Sequence, residues 1–412
     1  MSGVIWSRRP ARVRAPATSA NLGPGFDALG LALALYDEVE ARVTDGGLAI
    51  EVSGEGSETA AAGEQHLVVR AMRAAFGAMG GQPPGIALRC VNAIPHGRGL
   101  GSSAAAVCCG LLAARALAGP AEPVAACGPA PPDGAAPPDG APPDGAALSD
   151  EAVFQLAASL EGHPDNVAAC LAGGLTIAWS PRPVPAGAAA PGPGTPAGTA
   201  PGPRLLRIAV PTTLRAVACV PSVPLATEAA RQALPPAVPH AAAAANAARS
   251  ALLVAALTGA PQVLFEATED FLHQPYRADL MPETAGLLAA LRREGAAAVV
   301  SGAGPAVLVL SFDGQRPSAQ AVDSIARETG ISWDVIPLHI DQQGARVQQG
   351  GLDVHPPVSA RHWPSLGHGP SENQVPCARA DRAGASRHDQ ASFLRDPQTA
   401  VEGMPWPLLV LS

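Results

Sequence analysis

Hydrophobic and polar positions along the chain fall into runs of two kinds. Residues 86–93 (IALRCVNA) form a short, largely apolar run, which predicts a strand. Residues 205–210, 214–220, 296–300, 306–312 and 333–340 carry the same strand signature. Residues 102–118 are instead a long stretch of small and apolar residues, which predicts a helix. Residues 149–161 (SDEAVFQLAASLE) predict another, with Ser149 at the N-cap and acidic residues in its first turn. An Ala-rich helix is expected over 241–258, and one more from about 262 to 273. Strands and helices mixed in this way indicate α+β or α/β architecture.

Two tracts interrupt the pattern. Residues 120–147 repeat PPDG three times, around Asp133, Asp139 and Asp144, and residues 181–203 are nearly pure Ala, Pro and Gly. Neither has a periodic apolar face, so burial does not offset the entropy of ordering them. Both are expected to be flexible surface insertions within a folded protein. Residues 348–412 turn to Gln, His, Pro, Arg and Ser with almost no periodic apolar run before PWPLLVLS, and a disordered tail is expected there.

Composition then narrows the chemistry. The 412 residues suffice for about two to three domains of ~150 residues. All 27 basic residues are arginine, which rules out a Walker A lysine, a protein-kinase lysine, a pyridoxal-phosphate Schiff base and any lysine nucleophile. The net charge is −8 and no basic stripe with interleaved aromatics occurs, so no nucleic-acid partner is expected. Seven cysteines form no C-x-x-C pair and read as buried apolar residues in a reducing compartment. The first residues carry no apolar core of a secretory signal, and no run of 18 apolar residues free of proline and polar groups appears. A soluble, cytoplasmic protein without a membrane partner is the expectation.

The strongest chemical signal is the segment Ile94-Pro95-His96-Gly97-Arg98-Gly99-Leu100-Gly101-Ser102-Ser103-Ala104, in which a strand runs through a triple-glycine loop into a helix. Backbone N–H groups of such a loop can converge on a phosphate, and the helix start adds partial positive charge. Ser102 and Ser103 add hydroxyls for a phosphate oxygen or Mg²⁺. The plainer reading is a glycine-rich turn at a helix start. The spacing is not the G-x-G-x-x-G of a dinucleotide fold, which argues against an oxidoreductase. Glu161-Gly162-His163-Pro164-Asp165-Asn166 gathers two carboxylates, an imidazole and an amide where a helix ends, although a turn followed by a helix capped by Asp165 would look the same. Glu161 can complete a Mg²⁺ site opposite the serines. The block 16–27 (PATSANLGPGFD) offers Asn21 and Asp27 to a small polar substrate, or is simply a strand-to-helix connection. Ser301-Gly302-Ala303-Gly304-Pro305 joins two strands.

Three of these segments, 16–27, 95–104 and 301–305, resemble the three motifs of the GHMP small-molecule kinases. Within that superfamily N-L-G-P-G-F-D, E-G-H-P-D-N, T-E-x-A-R at Thr227–Arg231 and P-Y-R at 275–277 resemble the homoserine kinases. The resemblance covers residues 10–347 and implies an α+β, two-domain fold: a ribosomal-S5-like N-terminal domain over 10–180 and a ferredoxin-like C-terminal domain over 204–347. It also implies ATP and Mg²⁺, L-homoserine as the small-molecule substrate and, as in some relatives, a homodimer. Residues 95–105 (through Ala105) would cradle the triphosphate, with His66, Gly302 and Gly304 also at the nucleotide. His66 stands where relatives often carry Asn, and imidazole can donate the equivalent hydrogen bond. Ser103 and Glu161 fall where relatives ligate Mg²⁺. Asn21, Asp27, His163, Asn166, Arg231 and Arg277 match substrate-contacting positions, with Arg231 and Arg277 assigned to catalysis as well, and Asp165 is a candidate base. The two arginines also make independent sense, since a guanidinium fork binds a substrate carboxylate bidentately. Another small alcohol such as mevalonate, or nucleotide binding without turnover, are the alternatives.

Overall fold

The computed structural model describes residues 4–118, 148–181, 202–315 and 317–348. The expected insertion over 120–147, all but the ends of the 181–203 tract, and the tail beyond Gln348 lie outside the described residues.

The chain opens with β1 (Ala11–Ala20), β2 (Leu29–Thr44), β3 (Gly47–Gly54), α1 (Leu67–Ala78), β4 (Gly85–Asn92) and α2 (Ser102–Leu117). It continues through α3 (Asp150–Glu161), α4 (Pro164–Ala172), β5 (Leu175–Trp179) and β6 (Arg204–Ile208). Next come β7 (Leu214–Pro221), α5 (Thr227–Gln232), α6 (His240–Thr258), α7 (Leu264–Ala267), α8 (Gln274–Arg277) and α9 (Pro282–Arg293). Last are β8 (Ala297–Val300), β9 (Val307–Phe312), α10 (Ala319–Glu328), β10 (Trp333–His339) and β11 (Arg346–Gln348).

Two sheets organise these elements. The first runs β11-β1-β2-β4-β3, with β5 joined to β2 and β6 to β5; all its pairs are antiparallel except β3–β4. The second is an antiparallel β10-β7-β9-β8 sheet. The expected domain limit near residue 204 does not coincide with a limit between sheets, because β6 and β11 both pair into the first one. Long β2 explains how: Glu38–Thr44 pairs with β4 while Leu29–Leu31 pairs with β5, so one strand serves both ends of the sheet.

The predicted helix over 102–118 is α2, and its small residues now have a reason. Nearly every position from Ala104 to Leu117 is buried, and a side chain at Gly110 would run into the Val68 carbonyl of α1. Only small residues allow the two helices to approach this closely. Ser149 caps α3 by accepting the Ala152 N–H, and Gly162 ends that helix at φ +86°. The five described cysteines are free and buried, and burial pushes the Cys90 thiol up to about 12.

Two expectations change. The block 16–27 runs from the end of β1 into its connection to β2, strand to strand rather than strand to helix. The helix expected over 262–273 breaks after Ala267, because the Asp270 carboxylate accepts the N–H groups of Leu272, His273 and Gln274 and starts the separate short helix α8. One described helix, α6, has the length and mean hydropathy (1.3) of a membrane-crossing segment. Its polar residues tie it to the protein: Asn246 donates to the Pro24 carbonyl and accepts the Phe271 N–H, and Arg249 pairs with Glu269.

Candidate active site

A cleft opens where the two sheets meet. Its floor is the glycine loop between β4 and α2. Gly97, Gly99 and Gly101 have φ of +65°, +77° and +71°, a region that L side chains rarely adopt. Gly99 also packs so tightly that a Cβ would strike the Ser301 and Gly304 carbonyls. The loop's own carbonyls are engaged outside the cleft: Gly97 accepts from Leu225 N, Arg98 from Ala306 N, Gly99 from Ser301 Oγ and Leu100 from Thr18 N. Beyond them α2 begins with Gly101 at its N-cap and no side chain capping its first N–H groups. An uncapped helix start and glycine amides in one concave loop can receive an anion.

Glu161 and His163 face that floor, and Asp165 and Asn166 follow on the first turn of α4. Glu161 Oε2 accepts the Ser103 hydroxyl at 2.7 Å, so the two expected metal ligands are in contact. Burial raises the Glu161 carboxyl above its ordinary range, and the nearby Asp165 adds to this. Asp165 is 2% exposed; burial raises its carboxyl too, against the opposing pull of His163 and the Asn166 N–H. His163 Nδ1 lies 3.9 Å from Asp165 Oδ1 and is buried without a hydrogen-bond partner. Asn166 turns its carboxamide oxygen to the Thr18 hydroxyl at 2.8 Å.

The opposite wall comes from the β1–β2 connection and from α5 and α8. Asn21, Leu22 and Asp27 all have positive φ. Asn21 holds this turn by accepting the Asp27 N–H at 2.9 Å and donating to the Gly302 carbonyl at 2.7 Å. Asp27 meets Arg231 of α5 in a two-pronged ion pair, 2.8 and 3.3 Å, with both side chains more than a third exposed. Arg277 differs. It is 1% exposed, and it donates to Ala230 O and Gly302 O and to His273 Nδ1 at 3.1 Å. His273 donates in turn from Nε2 to Gly23 O, so it is neutral, in keeping with burial lowering its pKa.

Thus Asn21, Asp27, Gly97, Gly99, Gly101, Ser102 and Ser103 reach the cleft together with Glu161, His163, Asp165, Asn166, Arg231, Arg277 and Gly302. Other expected nucleotide residues are placed differently. Arg98 spends its guanidinium on the carbonyls of His96, Pro221 and Ser222. Leu100, Ala104 and Ala105 belong to the core, and Gly304 packs against the Met281 sulfur. Pro95, His96 and His66 are not among the cleft residues; His66 precedes α1 with its Nδ1 buried and unpartnered, and burial followed by His96 lowers its pKa.

The model of the GHMP kinases N-terminal domain matches residues 66–126, and that of the GHMP kinases C-terminal domain matches 242–331. A homoserine kinase of Streptomyces coelicolor is 47% identical over 347 residues, spanning 84% of this chain and 97% of that protein. The chain belongs to the homoserine kinases. A crystal structure of homoserine kinase from Cytophaga hutchinsonii superimposes with a TM-score of 0.61 at 25% identity, covering 84% of this chain and 99% of that one. A mevalonate kinase of L. major shares the fold, with a TM-score of 0.57 at 14% identity over 82% of this chain and 99% of its own. As a homoserine kinase the chain is an α+β enzyme of the GHMP kinase fold, with ATP as co-substrate.

Sequence reasoning missed Thr18, Ser19 and Ser301 as the links that lock the glycine loop to the rest of the cleft, and Thr227 as a lining residue. Thr18 and Ser19 sit inside the quoted block 16–27, so the signal was there. It identified the segment without saying which residue does what.

Proposed function

We propose that the chain transfers the γ-phosphoryl group of ATP to the side-chain hydroxyl of L-homoserine, in the cytoplasm, as a step of threonine biosynthesis. One observation carries the reading: a paired carboxylate and guanidinium, Asp27 and Arg231, stand across the cleft from an uncapped helix start. An amino-acid acceptor brings the complementary charges. Its ammonium can take Asp27 and its carboxylate the fork of Arg231, exchanging one ion pair for two. Arg277, held from behind by Ala230 and His273, adds fixed positive charge to the same wall.

The acceptor oxygen attacks the γ-phosphorus while the bond to the ADP oxygen breaks. The transition state is loose, so positioning and charge neutralisation supply most of the rate. The amides at the start of α2 neutralise the triphosphate. Ser103 and Glu161 fit Mg²⁺, being two hard oxygens 2.7 Å apart of which one belongs to a partly buried carboxylate. Bound there, Mg²⁺ would offset phosphate charge. Asp165 is the candidate acceptor of the hydroxyl proton, since burial makes it a stronger base than an ordinary aspartate.

The test is ADP release with Mg·ATP and either L-homoserine, mevalonate, galactose or L-threonine. Turnover with homoserine alone is expected. A preference for mevalonate would overturn the acceptor assignment, and ATP binding without turnover on any acceptor would overturn the enzymatic reading.

A further inference from the structure

Strand β4 ends at Asn92, and the glycine loop begins two residues later. The Ala93 and Ile94 N–H groups lie where the β2–β4 ladder has stopped at Glu38↔Val91. A side chain takes the place of the ladder: Oδ1 of Asp37 accepts Ala93 N at 2.8 Å and Ile94 N at 2.9 Å. Asp37 is 3% exposed, in the middle of β2, where a carboxylate is costly unless it meets a specific need. Pro95 follows and has no N–H of its own, so these two bonds are the last before the loop turns into the cleft.

We propose that Asp37 is a positioning residue for nucleotide binding, its Oδ1 fixing the strand end from which the phosphate-facing glycine loop springs. The inference rests on the phosphoryl-transfer reading above. Asp37 itself does not reach the cleft, so it acts through Ala93 and Ile94. The role belongs to the acceptor atom and not to the charge. Burial raises the carboxyl to about 7, Glu55 raises it further, and Asp37 in turn acts on the buried thiols of Cys90, Cys109 and Cys170. Protonation at Oδ2 would leave Oδ1 free to accept both amides, and an asparagine offers the same oxygen.

The experiment is equilibrium binding of ATP to the full chain without acceptor, alongside the KM for homoserine. Asp37→Asn is expected to bind ATP within about twofold of wild type, whereas Asp37→Ala loses ~10- to 100-fold with the homoserine KM little changed. Should Asp37→Ala not fold, Asp37→Ser makes the same comparison, its shorter side chain reaching at most one amide. Leu88→Ala, a core change on β4, controls for destabilisation and is expected to leave ATP affinity alone. Wild-type affinity in the Ala or Ser variant, or an Asn variant as weak as Ala, would overturn the proposal. Failure of the wild type itself to bind ATP would instead overturn the phosphoryl-transfer reading and this inference with it.

Discussion

Arg231 and Arg277 carry the same formal charge into the same cleft, and replacing each with alanine should separate binding from stability. Arg231 is more than a third exposed and its structural partner is the equally exposed Asp27, so the ion pair contributes about 0–1 kcal/mol to folding. On the proposed reading its worth lies in the substrate. Two charge-assisted bonds to a carboxylate, at ~1.5 kcal/mol each as a lower figure, amount to about 3 kcal/mol, or roughly a 100-fold loss in kcat/KM, mostly through KM. Arg277 is 1% exposed, and its removal strands the Ala230 carbonyl and His273 Nδ1; Gly302 O keeps its bond from Asn21. Two buried acceptors left without a charged donor cost about 3 kcal/mol of stability or more. Urea unfolding with matched m-values, together with homoserine-dependent ADP release, reads both quantities. Equal destabilisation by the two substitutions, or an Arg277→Ala protein as stable as wild type, would refute the assignment of Arg277 as a buried structural cation.

The remaining expectations concern the floor and the carboxylates. Gly99→Ala forces an L side chain to φ +77° against two backbone carbonyls, and should cost at least ~1–2 kcal/mol in unfolding experiments and weaken ATP binding measured by calorimetry. Glu161→Gln should raise the Mg²⁺ concentration at half-maximal rate by roughly tenfold or more, read in a metal titration at saturating ATP. Asp165→Asn should retain appreciable turnover if positioning dominates; complete loss in a folded protein would count against that account. Asp37→Asn should flatten the pH dependence of stability. The native carboxyl titrates near 7 against 3.8 when unfolded, so the wild type loses stability as pH rises from about 4 to 7, by at most about 4 kcal/mol at 1.36 kcal/mol per pH unit, and Asn removes that slope. Urea midpoints of both proteins from pH 4 to 8 check the sign.

How much of this could be read beforehand depended on whether the signal was local. The N-cap of α3, the run of β9 and the glycine loop leading into α2 are decided by neighbours in sequence, and they were legible. The break after Ala267 was not, since it depends on Asp270 folding back on the next three amides instead of extending the helix. The sheet membership of β6 and β11 depends on pairing with β5 and β1 across long stretches of chain, which no local window reports. For the site, motif spacing identified which segments meet but not the duty of each member. Arg98 looks like a ligand-binding cation in a sequence and spends its guanidinium on backbone carbonyls, while Arg277 lines the cleft and is held by the Ala230 carbonyl and His273 as well.

That division of labour has a common origin in the seam between the two sheets. The contacts that close it, Asn21 to Gly302, Ser19 to Ser301 and Asp27 to Arg231, join the end of β1 and the β1–β2 connection to segments more than two hundred residues later. The first two are fully buried and hold the glycine loop and its neighbours in one register. The third lies at the open side, partly solvated and weak as a fold contact, so a ligand carrying both charges can displace it at little cost. A mevalonate-like anion could satisfy Arg231 but would leave Asp27 without a counter-ion. On the proposed reading, the ion pair at the open side of the cleft therefore favours a zwitterionic acceptor over an anionic one.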